Sequence, residues 1–99
     1  MLKRATDGSV DRLNWLIDVS GTNRNELRRL SGLKGPSIYH LFLGRQGLRA
    51  GTWANVAAVF GVSLDWLLSG TGRKPDTAQV LRSVAAARVR ERSAKQAAA

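Results

Sequence analysis

Three features of the sequence predict an all-α protein. Apolar residues recur at three- and four-residue spacings in short successive segments, and glycine or proline marks the boundaries between them. The C-terminal stretch is rich in alanine and arginine, both strong helix formers. The 99 residues suffice for one compact domain, and a hydrophobic content of 43% is ordinary for a folded chain. With no cysteine and a single histidine, His40, neither a disulfide framework nor a cysteine/histidine zinc site can be assembled, so the fold rests on packing.

Residues 1–8 lack periodicity, carry Lys3 and Arg4, and read as a flexible arm. A first helix follows, with Ser9 as its N-cap. Val10, Leu13, Leu16 and Ile17 line its inner side, while Arg12, Asn14 and Asp18 face water. Ser20 and Gly21 end it. Asn23 caps the second helix, with Glu26 at its third position, and that helix runs to Gly32, where a left-handed glycine closes it. Gly35 and Pro36 open the third helix, because proline has its φ preset and lacks only an N–H that the first turn does not use. Ile38 and Leu41 give this helix its buried side.

A loop punctuated by Gly44, Gly47 and Gly51 and bearing Arg45, Gln46 and Arg49 leads to a fourth helix with an apolar face of Trp53, Val56, Ala57 and Phe60, stopped at Gly61. Ser63 caps a short fifth helix whose Leu64, Trp66, Leu67 and Leu68 close the core. Residues 71–75 have the composition of a linker. Beyond it, Val80, Leu81, Val84 and Ala87 make one narrow stripe, and the segment after Val89 has little to bury. The expectation is a 9–72 domain followed by a helical or partly disordered basic tail over 73–99. Its helix frays toward the end and serves self-association outside the core.

Charge narrows the function. Sixteen Lys and Arg against seven Asp and Glu give a net +9, which points to a polyanionic partner. The cations lie in both the domain and the tail, so neither owns the binding. No apolar run approaches the roughly 18 residues of a membrane span, and the start MLKRATDGSV lacks a signal-peptide core, so the reading is cytoplasmic and without a membrane. His40 has no Ser, Cys or metal to work with, and no carboxylate pair has a spacing suited to hydrolysis. No enzymatic activity, cofactor, metal or small-molecule ligand is predicted.

Two short helices joined by a tight turn, the second with an apolar inner face and an open start, make a helix-turn-helix at about residues 23–43. The surrounding residues Arg12, Leu13, Glu26, Leu27, Leu30, Gly32, Ile38, Gly44 and Thr52, with the ending FGVSLDWLLSGTG over 60–72, resemble the lambda-repressor-like family of phage repressors and xenobiotic-response-element regulators. The resemblance covers about residues 10–72. It implies a five-helix domain whose third helix, about 36–43, enters the DNA major groove. At the site where the family usually places a small residue between the two helices, this chain has Arg28; either the helices sit slightly apart or its stem snorkels outward. Arg24 stands where the family often has a phosphate-bonding Gln.

The recognition helix begins Gly35-Pro36-Ser37, and the first two have no side-chain hydrogen bonds to offer. Base contacts are therefore expected from Ser37, Tyr39 and His40, with low sequence selectivity or dependence on DNA shape. Arg24, Lys34, Arg45, Gln46 and Arg49 lie at helix starts and in the following loop, where residues that clamp phosphates sit. Blander readings stand beside these: His40 as a surface residue, Arg28 and Arg29 as a solvated face, and Phe42 and Leu43 as the edge of the core or a contact surface. The three tryptophans read as core, Trp15 less clearly than Trp53 and Trp66. The reading is a regulator of phage-repressor type that binds double-stranded DNA, with a homo-oligomer formed through the C-terminal segment. Alternatives are a DNA-organising accessory of a phage or mobile element and an oligomerising interaction module.

Overall fold

The computed structural model describes residues 8–43 and 50–98, and all of their regular structure is helical. In chain order the helices are α1 (Ser9–Ser20), α2 (Arg24–Ser31), α3 (Gly35–Phe42), α4 (Ala50–Phe60), α5 (Leu64–Ser69) and α6 (Thr77–Ala98). None of them is long and apolar enough to cross a membrane.

Local signals set the starts and stops of most of these elements. The Asn23 side chain accepts from the Glu26 backbone N–H at 2.8 Å, and Ser63 accepts from that of Trp66 at 3.3 Å, so α2 and α5 each have one otherwise orphaned donor satisfied. The start of α1 differs from expectation. Gly8 holds the cap position and its carbonyl accepts from the Arg12 N–H at 2.9 Å, which puts Ser9 inside the first turn with its side chain buried.

Helical spacing carries the inward faces. Leu13 and Leu16 of α1, Leu27 of α2, Ile38 and Leu41 of α3, Trp53, Val56 and Phe60 of α4, and Trp66 and Leu67 of α5 share one apolar core. Trp15 is half-buried, packed edge-on against Trp66 with ring centroids 6.0 Å apart, and the Lys74 ammonium lies 4.3 Å over its ring. Arg12, expected to face water, instead turns inward: its Nε donates to the Leu67 carbonyl at 2.8 Å and ties α1 to α5. The open end of a six-residue helix supplies the acceptor, which a reading of α1 alone does not reveal.

The largest correction concerns the C-terminal segment. Far from a tail outside a closed five-helix domain, residues 77–98 form one continuous helix that packs against α1, α4 and α2. Val80, Val84 and Ala87 are buried in the common core, while Leu81 remains outside. Five helices leave an apolar face uncovered, and the stripe on α6 covers it within the same chain. The closeness of the fit shows at Gly61, which ends α4 with a positive φ of 66°: a Cβ there would run into the Ser83 side chain, and Gln79 donates to the Gly61 carbonyl at 3.0 Å.

Polar contacts continue this docking past the apolar stripe. Arg88 holds Glu26 of α2 in a two-pronged pair, Nε to Oε2 at 3.0 Å and Nη2 to Oε1 at 2.8 Å. One turn further, Glu91 pairs with Arg29 at 3.4 Å, so the stretch beyond Val89, expected to fray, is helical and tethered. The hydrogen bond from Arg88 holds the Glu26 carboxyl below its usual value of 4.5, helped by the charges of Arg88 and Arg29 and opposed by partial burial.

A carboxyl whose pKa is lowered by folding stabilises the fold above its unfolded pKa, and that stability is lost as pH falls through the folded value. The protein is therefore expected to lose stability below about pH 4.5, partly through this pair. Arg88→Ala should cost on the order of 1 kcal/mol near neutral pH and flatten the acid loss. Urea unfolding at neutral and acid pH measures both; an unchanged acid slope in the variant would remove the pair from the stability of the fold.

Candidate nucleic-acid interface

The turn over residues 32–34 joins α2 to α3 compactly because Gly32 takes a left-handed conformation at φ 74°. Ser31 fastens the turn, its hydroxyl donating to the Arg28 carbonyl at 3.3 Å and accepting from the Leu33 N–H at 3.4 Å. Pro36 sits in the first turn of α3. Leu27 on one helix and Ile38 and Leu41 on the other enter the same core, which fixes the outer side of α3 toward solvent.

That outer side is made by Pro36, Tyr39 and Leu43, three and four residues apart. Tyr39 is 59% and Leu43 46% exposed. Ser37 and His40, the other two expected base contacts, lie half-buried on its flank. The Nδ1 atom of His40 is enclosed without a hydrogen-bond partner among the described residues, and its ring meets Tyr39 edge-on at 5.8 Å. The three residues are thus adjacent but differently presented: Tyr39 projects, and His40 keeps one of its two nitrogens inward.

Two of the expected phosphate contacts flank this surface. Lys34 is exposed at the position that caps α3. Arg24, the first residue of α2, lays its guanidinium 4.3 Å over the ring of Phe42, the last residue of α3. Lys34 and the Phe42 beneath Arg24 thus mark opposite ends of α3, their backbones about 12 Å apart along its axis. Arg45, Gln46 and Arg49 lie outside the described residues.

Phe42 covers the edge of the core, buried beneath Arg24, whereas its neighbour Leu43 projects. Arg28 reaches Asn25 with its guanidinium at 3.4 Å in an exposed contact, so its charge is not wedged between the helices. Arg29 is committed to Glu91. It belongs to an open cleft of about 400 Å³ between α2 and α6 in which Arg90 and Lys95 are the other cations and Glu91 partly offsets them. Sequence reasoning missed the stacking of Arg24 on Phe42 and the engagement of Arg29. An aromatic residue at the end of α3 was a visible signal for the first, while the second depends on a residue far along the chain.

Trp53 and Trp66 are buried, so neither is a stacking platform. Among the described residues no cluster of His, Cys, Asp or Glu could hold a metal ion. Fold and surface together define an all-helical protein that presents one helix with an apolar outer side between two cationic ends. Compared with known proteins, the chain matches no family model, no curated protein and no solved structure.

Proposed function

We propose that this chain is a DNA-binding regulator of phage-repressor type, with α2, the turn and α3 acting as a helix-turn-helix and α3 lying in the major groove. The observation that carries the reading is the exposed side of α3 flanked by Lys34 and Arg24 on a chain of net charge +9. Cations at both ends of an exposed helix suit phosphates on either side of a groove and position the helix without reading sequence. Ser37, Tyr39 and the outward edge of His40 are the polar groups available to bases. The resemblance of residues 10–72 to lambda-repressor-like proteins agrees with this assignment.

Binding of labelled duplex DNA across about 50 to 200 mM salt tests it, since removing one phosphate-binding cation should lower the slope of log affinity against log salt by about one. Lys34→Ala and Arg24→Ala should each do so, weakening binding to all duplexes alike. Slopes unchanged in both variants would detach these residues from the interface, and absence of binding would favour an interaction module. Selection from a random duplex pool separates the regulator, which should enrich a paired half-site, from a DNA-organising protein, which should enrich none.

Paired half-sites call for a homodimer, and with Val80, Val84 and Ala87 occupied in the core, self-association falls to the outer side of α6. Leu81 and Val89 are 46% and 51% exposed there, two turns apart on one side of the helix. Sedimentation of the full chain should give a dimer, and Leu81→Glu with Val89→Glu a folded monomer. An unaltered mass in the double variant would reject this surface.

A further inference from the structure

The outer side of α3 is unusual for a surface that reads bases, because its projecting residues Pro36, Tyr39 and Leu43 are apolar except for the phenol tip. Pro36 and Leu43 cannot bond the donors and acceptors that distinguish most base edges, and Tyr39 can do so only through its hydroxyl. In the major groove one feature answers these side chains, the C5-methyl group of a pyrimidine. Resting on the DNA-binding reading above, we infer that α3 selects 5-methylpyrimidines, with Tyr39 and Leu43 covering the methyl groups.

Three observations support this occupant. The cations at the two ends of α3 complement a polyanion and frame the apolar side between them. From Pro36 to Leu43 the helix rises about 10 Å, close to three base steps, so two or three methyl groups fall within reach. Bare guanine or cytosine edges under Leu43 would lose water and gain no partner, which disfavours them. The enclosed Nδ1 of His40 is not turned outward to offset that loss. The same methyl group occurs on thymine and on 5-methylcytosine.

Replacing thymine by uracil removes the methyl group and leaves the pairing edges unaltered. The full chain, titrated with an A·T-rich duplex and its uracil counterpart at one salt concentration, should bind the thymine form about fourfold tighter for each methyl covered. A second pair, a G·C-rich duplex with and without 5-methylcytosine, tells the sources apart: a gain there extends the preference to methylated cytosine, and a gain in the first pair alone assigns it to thymine. Leu43→Ala and Tyr39→Ala, both at exposed positions, should bring the thymine-to-uracil ratio toward one.

Equal affinity within both pairs overturns the methyl inference and leaves DNA binding standing. A ratio retained in both variants overturns the role of Tyr39 and Leu43. Failure to bind any of the four duplexes overturns the DNA-binding reading itself and points the apolar side toward a protein partner.

Discussion

Burial of Val80, Val84 and Ala87 by the other helices is the contact on which the rest of the arrangement depends. It joins the last helix to the first, second and fourth, and so ties the two ends of the described chain together. From that contact a chain of constraints runs to the surface of α3. Arg88 and Glu91 of α6 hold Glu26 and Arg29 of α2, and Leu27 of α2 shares the core with Ile38 and Leu41 of α3. The outward side of α3 therefore points where it does because α6 is docked, although the two helices are far apart in sequence. Helices as short as α2 and α3 have little stability of their own and take their orientation from such packing.

The arginines divide according to this plan. Arg12 closes α5 onto α1, while Arg29 and Arg88 secure α6. Net charge overstates what a polyanion meets, because these guanidinium groups are engaged within the fold. Arg24 is engaged differently: stacking on Phe42 restrains the stem while its charge stays at the surface, at little desolvation cost. Lys34, at the other end of α3, is the exposed counterpart. The result is a face that is apolar in the middle and cationic at its ends, the arrangement on which the proposed DNA binding rests.

How much of this was legible follows from the range of each interaction. The caps at Asn23 and Ser63, the left-handed glycines 32 and 61 and the proline opening α3 are written within four residues of where they act, and the helix boundaries followed from them. Of the three outward residues expected on α3, Tyr39 projects, opposite the side that Ile38 and Leu41 bury, whereas Ser37 and His40 lie half-buried on the flank. Contacts across 55 and 62 residues, Arg12 to Leu67 and Arg88 to Glu26, have no local signature. The stripe on α6 was visible, but a stripe does not say which surface it covers. An intramolecular face and a second copy of the chain demand the same pattern, and only the three-dimensional arrangement distinguishes them.

Shortening the chain to end at Pro75 tests the dependence on α6 most directly. Two buried valines and an alanine contribute about 4 kcal/mol by area, a large part of what a domain of this size possesses. Thermal unfolding followed by circular dichroism should then show a loss of tens of degrees in Tm or no cooperative transition at all. A shortened chain that melts cooperatively within a few degrees of the intact protein would contradict the account and make α6 an addition to a self-sufficient five-helix domain.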